Sequence, residues 1–217
     1  MKYRSMSKSQ KKTMRAGVKA LLKCAAEYPF EQITLYDIAT RADLPLSDFA
    51  DIGTRDVVID AVEPFFDRAL VDDHLDFSDP PVERLFEVIM LRFEAMESYR
   101  DGLVKLMDWR DLQPGRRAAL ISARKDTAKW ALIAAGLDKG SRIEQFAQTA
   151  ALVWVLSRAE DAWTQDTDGD FTRTMAKLDA DLKSVSARFE RFKKLSKWAM
   201  RRRDKDVYDM PPNFEDA

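Results

Sequence analysis

The sequence predicts an all-α protein of about nine helices, a small three-helix helix-turn-helix head followed by a helical bundle. Three observations predict it. Glycine and proline are scarce, 7 and 8 in 217 residues, so little punctuates long helices. Apolar residues recur at helical spacing in almost every long segment. Start and stop signals fall between those segments. The expected boundaries are 1–56 for a basic arm and head, 57–203 for the bundle, and 204–217 for a tail.

The head is legible residue by residue. A first helix is expected from Ser9 to Glu27, with Met14, Val18, Leu21, Leu22 and Ala25 on one face. Pro29 ends it, because proline lacks the helical N–H and pushes Tyr28 into an extended conformation. Thr34 opens the second helix as a capping box with Asp37, and Leu35, Ile38, Ala39 and Ala42 form its apolar face. Leu44-Pro45 is a short connection, Leu46 to Ile52 a third helix, and Gly53 its stop. A fourth helix runs from Thr54 to about Asp72, with a kink expected near Asp60 to Glu63 because Pro64 lies inside it.

The body follows the same rules. Asp79 is expected to cap a fifth helix with Pro80-Pro81 in its first turn; Leu85, Phe86, Ile89, Phe93 and Met96 are among its apolar stripe. A sixth helix spans Tyr99 to Arg110, and a seventh runs from Gln113-Pro114-Gly115 to Ala135, closed by Gly136. The eighth covers Ser141 to Gln165. The ninth, capped by Asp170, runs past Arg203 with Met175, Leu178, Leu182 and Val185 stepping by three and four.

Net charge is −1, but its distribution is basic, acidic, basic. Residues 1–23 hold eight Lys or Arg and no acid; Asp43 to Glu83 holds twelve acids against Arg55 and Arg68; Lys183 to Lys205 holds ten bases against Glu190 and Asp204. The single cysteine, Cys24, excludes an internal disulfide and reads as a small core residue. No apolar run reaches about 18 residues, so no membrane span is expected, and a cytoplasmic location is. The only histidine, His74, lies in an acidic loop, and no metal site is assigned to it. There is no Gly-rich phosphate loop, Cys/His cluster or nucleophile elbow. Neither an enzyme nor a cofactor is expected.

The block Thr34-x-x-Asp37-Ile38-Ala39-x-Arg41-Ala42, with Phe30, Ile33, Leu35, Phe49 and Arg55 around it, resembles the DNA-binding domain of the TetR family. The third helix departs from that pattern. Ala50 stands where the family has Tyr, and Asp48 and Asp51 place two acids on the helix. The resemblance implies a dimeric transcriptional regulator that binds an operator in duplex DNA and responds to a small apolar ligand in its body. Lys8, Lys11, Lys12, Thr34, Ser47, Thr54 and Arg55 would meet phosphates, and Leu46, Ser47 and Asp48 would face base edges. Phe93, Met96, Met107, Trp109, Trp130 and Trp154 are the candidate ligand pocket. Phe146, Ala150, Val153, Ser157, Met175, Leu178, Leu182 and Val185 are the candidate dimer interface. The alternative rests on a weak similarity of the body to the TetR-fold accessory proteins of ubiquinone biosynthesis. It is a protein that has lost DNA binding and holds a lipid-like or quinone-like ligand or a protein partner.

Overall fold

Ser7, not Ser9, opens the first helix. Its hydroxyl accepts from the Gln10 amide (3.2 Å) and its own amide donates to Gln10 Oε1 (2.9 Å), a capping box that starts α1 at Lys8–Glu27. We describe a computed structural model covering residues 6–71 and 78–208, with side chains as far as residue 191. The basic arm before Met6, His74 with most of its acidic loop, and the end of the tail lie outside those residues.

Among the described residues there are ten α-helices and no strand. The all-α architecture is as the sequence predicts. After α1 come α2 (Leu35–Arg41), α3 (Leu46–Ala50), α4 (Arg55–Asp60) and α5 (Val62–Phe66). The body follows as α6 (Pro81–Glu97), α7 (Arg100–Asp111), α8 (Pro114–Ala134), α9 (Arg142–Thr164) and α10 (Thr172–Tyr208). The tenth helix arises because the expected fourth one breaks at Ala61. Pro64 has no N–H for the Asp60 carbonyl and its ring crowds that oxygen, so α4 ends at Asp60 and α5 restarts beyond it.

Other ends differ for equally local reasons. Asp79 does not cap α6 through its side chain; Pro80 holds that position, and the Asp79 carbonyl accepts from Arg84. α10 begins after Phe171 at φ 57°, and two acids share its first turn: Asp170 accepts from the Thr172 amide (3.0 Å), Asp166 from that of Thr174 (2.9 Å). Gly136, at φ 70°, closes α8 as expected, with the Leu137 amide reaching back to the Leu132 carbonyl at 2.7 Å.

Packing decides what these caps only trim. A cap contributes about 1 kcal/mol, whereas each fully buried Leu contributes about 2 kcal/mol. Met14, Val18, Leu21, Leu22 and Ala25 of α1 are all buried. The seven-residue α2 is too short to stand alone; Ile38 and Ala39 hold it against the core. α1 also lies against α7 at backbone distance, because Gly102 presents only hydrogen to the Leu22 carbonyl. The Lys105 ammonium adds a bond to the Ala26 carbonyl at 2.7 Å.

Candidate nucleic-acid interface and body sites

The turn between α2 and α3 sets the exposure of the third helix. Thr34 caps α2 as predicted: its hydroxyl accepts from the Asp37 amide (3.2 Å), while its own amide donates to Asp37 Oδ2 (2.8 Å). The Thr34 hydroxyl, which also donates to Asp37 Oδ2 (2.6 Å), and then the Thr34 amide hold the Asp37 carboxyl below its ordinary range. Asp43 then turns the chain at φ 54°, and Leu44 donates to the Ala39 carbonyl at 3.1 Å. α3 enters at Pro45 and is anchored by Phe49, fully buried against Gly17 of α1. Leu46, Ser47, Asp48, Ala50 and Asp51 are left exposed.

The start of α1 is tied to the end of that helix: Gln10 donates to the Asp51 carbonyl at 3.2 Å. Lys8 and Lys12 are exposed and Lys11 half-buried, and Arg15 and Lys19 continue the exposed basic row along α1. Thr54 is exposed, and its side chain makes no capping bond to α4. Leu46, Ser47 and Asp48 are thus together on the open side of α3, whereas Lys8, Lys11 and Lys12 form a row on another side of α1, on a surface they share with Arg68.

Arg55 is placed differently. Its guanidinium sits 4.8 Å from the Phe30 ring centroid and 5.5 Å from that of Trp109, and donates to the Phe30 carbonyl. Burial pushes its pKa below the ordinary value. Arg55 is thus a brace between head and body rather than a group turned toward a phosphate. The sequence signal was available in Phe30 and Trp109, but only the fold brings residues so far apart into one stack, with ring centroids 4.6 Å apart.

The six residues expected to line a ligand pocket are scattered. Phe93 and Met96 are closed into the core, Met107 packs against it, and Trp109 belongs to the Arg55 stack. Trp130 and Trp154 stand at the surface, 41% and 45% exposed. Helical spacing alone does not tell the inward face from the outward one on helices that carry aromatics on both. The apolar cavity of the body lies elsewhere, with a volume of about 360 Å³ between α6, α8, α9 and α10. Leu182 and Val185, expected at a dimer interface, line it. Leu178 is also buried within the chain's own core, whereas Phe146 stands 75% exposed.

The centre of the body holds an ion cluster that sequence reading missed. Arg92, 1% exposed, donates to Glu63, to Asp67 (3.3 Å) and to Glu160 (3.2 Å). Arg110 donates to Glu63 at 2.7 Å, and Arg124 to Glu160. Three cations thus answer three carboxylates. Burial alone would raise the Glu63 pKa, but Arg92 and Arg110 outweigh it and lower it. Asp67 goes the other way: burial pushes it up to about 6 despite Arg92, and Glu63 adds to the rise. Thr127 donates to it at 2.9 Å.

A raised folded-state pKa gives stability that is complete below the unfolded value and lost as pH climbs through the folded one. The Asp67 contribution is expected to fall away between about pH 4 and pH 6, by about 3 kcal/mol. Asp67→Asn should flatten that part of a stability–pH profile measured by chemical denaturation. An unchanged slope would place the titration on another group.

An exposed α3 tied to the start of α1, carried on an all-helical body, is the arrangement of a TetR-type fold. Comparison with solved structures agrees. A TetR transcriptional regulator from Nitrosomonas europaea superposes with a TM-score of 0.64 at 21% identity, over 80% of this chain and 98% of that one. A TetR transcriptional regulator from Rhodococcus sp. RHA1 gives 0.57 at 11% identity, over 81% and 96%. No family model and no curated protein sequence matches. At these identities the likeness establishes the fold. No helix among the described residues is long and apolar enough to cross a membrane.

Proposed function

We propose that the chain is a TetR-like transcriptional regulator that binds duplex DNA as a dimer and responds to a small apolar ligand in its body. The observation that carries this reading is the uncovered third helix, tied through Gln10 to the start of a helix whose exposed row carries Lys8, Lys11 and Lys12. Ser47 and Asp48 at its start would face base edges, with Asp48 accepting from a cytosine amine. Thr34 and Thr54 would meet phosphates on either side. Cations that neutralise phosphates make affinity fall steeply with salt. Lys8→Ala/Lys11→Ala/Lys12→Ala is expected to weaken duplex binding on the order of 100-fold near 0.1 M salt and to reduce the salt slope by about 3. Fluorescence anisotropy against the chain's own upstream DNA reads both.

The second reading, a TetR-fold protein without DNA binding, has one observation in its favour. α3 brings Asp48 and Asp51 to any phosphate and no base of its own. Wild-type protein that ignores duplex even at 20 mM salt, a low ionic strength at which phosphate contacts are strongest (Debye length about 20 Å), would select it.

Dimerisation would use the outer face of α9. Ile143 and Phe146 are 78% and 75% exposed, and Ala150 and Trp154 continue the same side of the helix, with Met175 of α10 also exposed. Apolar side chains this exposed and this regularly spaced point to a covered surface in the assembly. Leu178 and Leu182 are not available to it. Phe146→Glu is expected to shift the protein from twice the chain mass to the chain mass in light scattering, with helix content unchanged. A wild-type monomer at micromolar concentration would refute the dimer.

A further inference from the structure

The cavity between α6, α8, α9 and α10 has a feature that an ordinary packing defect lacks. Its walls are mostly aliphatic, including Leu85, Leu132, Leu152 and Val155. Yet the Gln148 side chain also lines it, and the Gln148 amide oxygen is buried with no hydrogen-bond partner. A buried unmatched acceptor costs about 1–3 kcal/mol, so such groups are rare unless something fills the need. The volume, about 360 Å³, falls in the range of small-molecule sites. The ion cluster is separate from the cavity: along α6, Leu85 at the cavity and Arg92 in the cluster are about 10 Å apart.

We propose that this cavity binds a neutral, elongated amphipathic molecule, an aliphatic chain of about ten carbons bearing one hydrogen-bond donor such as a hydroxyl. The chain lies among the leucines, and the donor satisfies Gln148. A carboxylate suits the site less well than a neutral head group, because the Glu190 side chain lies at the wall. This deepens the regulator reading and rests on it for its consequence. The cavity is bounded by Gln148 of α9 and by Val185 and Phe189 of α10, so occupancy bears on the two helices nearest the proposed dimer face.

Binding itself is tested without DNA, so its failure is separate from failure of the regulator reading. The full chain is titrated with N-phenyl-1-naphthylamine, a neutral apolar dye with one N–H, and bound dye is displaced with decanol, its methyl ether or decanoate. Decanol is expected to compete about tenfold better than the ether, which lacks the donor, and decanoate to compete poorly. Gln148→Leu should erase the preference for the alcohol while the ether binds as before. Leu152→Trp, which fills the cavity, should abolish dye binding in protein whose unfolding transition is retained. Equal competition by alcohol and ether, or dye binding indifferent to Leu152→Trp, overturns the proposal. So does dye uptake that falls as protein concentration rises, since a second copy would then cover the cavity.

Discussion

Arg92→Met is expected to lower the stability of the protein by about 3–5 kcal/mol at pH 7. Methionine fills much of the same volume, so the loss is electrostatic rather than a cavity. Glu63 keeps Arg110 and Glu160 keeps Arg124, but Asp67 is left with Thr127 as its remaining bonded partner in the cluster. Three buried carboxylates then face two cations. Adding Asp67→Asn removes the charge left worst off, and should restore about 1–3 kcal/mol of the loss. The sign with pH follows. Without Arg92 the carboxylates are harder to ionise in the folded state, so the deficit shrinks as pH falls toward their raised pKa values. Urea denaturation of the single and double variants at pH 5 and pH 7 measures all of this. A loss below about 1 kcal/mol, the scale of an exposed pair, would mean that water reaches the cluster.

Gly102→Ala is expected to cost about 3 kcal/mol, and to lower the thermal midpoint by about 6–12 °C. Elsewhere in a helix this change would help by about 1 kcal/mol. Here a Cβ would stand 2.0 Å from the Leu22 carbonyl oxygen and 2.8 Å from its carbonyl carbon. Both are backbone atoms, so no side chain can swing aside, and α1 must move away from α7. Since α1 carries Lys8, Lys11 and Lys12 and anchors α3 through Gly17 and Phe49, the shift moves the whole candidate interface. Gly115→Ala is the internal comparison: nothing lies within 4 Å of the Cβ it would add. It should be neutral or stabilising by up to about 1 kcal/mol. Equal midpoints for the two variants would show that the α1–α7 contact yields.

The head was more legible than the body, and particular residues show why. Thr34, Asp37, Pro45 and Gly53 act on backbone a few residues away, so their chemistry is readable from spacing. Asp43 at φ 54° is the local exception, because an aspartate tolerates that conformation without announcing it. In the body, Trp109, Trp130 and Trp154 look alike in sequence, but one joins the head–body stack and two reach the surface. Glu63, Arg92 and Glu160 read as ordinary charged helix positions, and nothing in their spacing marks them as buried partners across nearly a hundred residues.

The sequence by itself determined the helical class, the interruption that Pro64 imposes one turn before itself, the capped start of α2 and the basic row on α1. These depend on covalent geometry, on hydrogen bonds between near neighbours, and on formal charge. Only the tertiary structure decided that Arg55 braces the head, that Arg92 bonds three carboxylates at once, and that the body's apolar cavity lies at Gln148. Each of those depends on which helix faces meet, and that choice is made by the burial of the whole core at once rather than by any single segment.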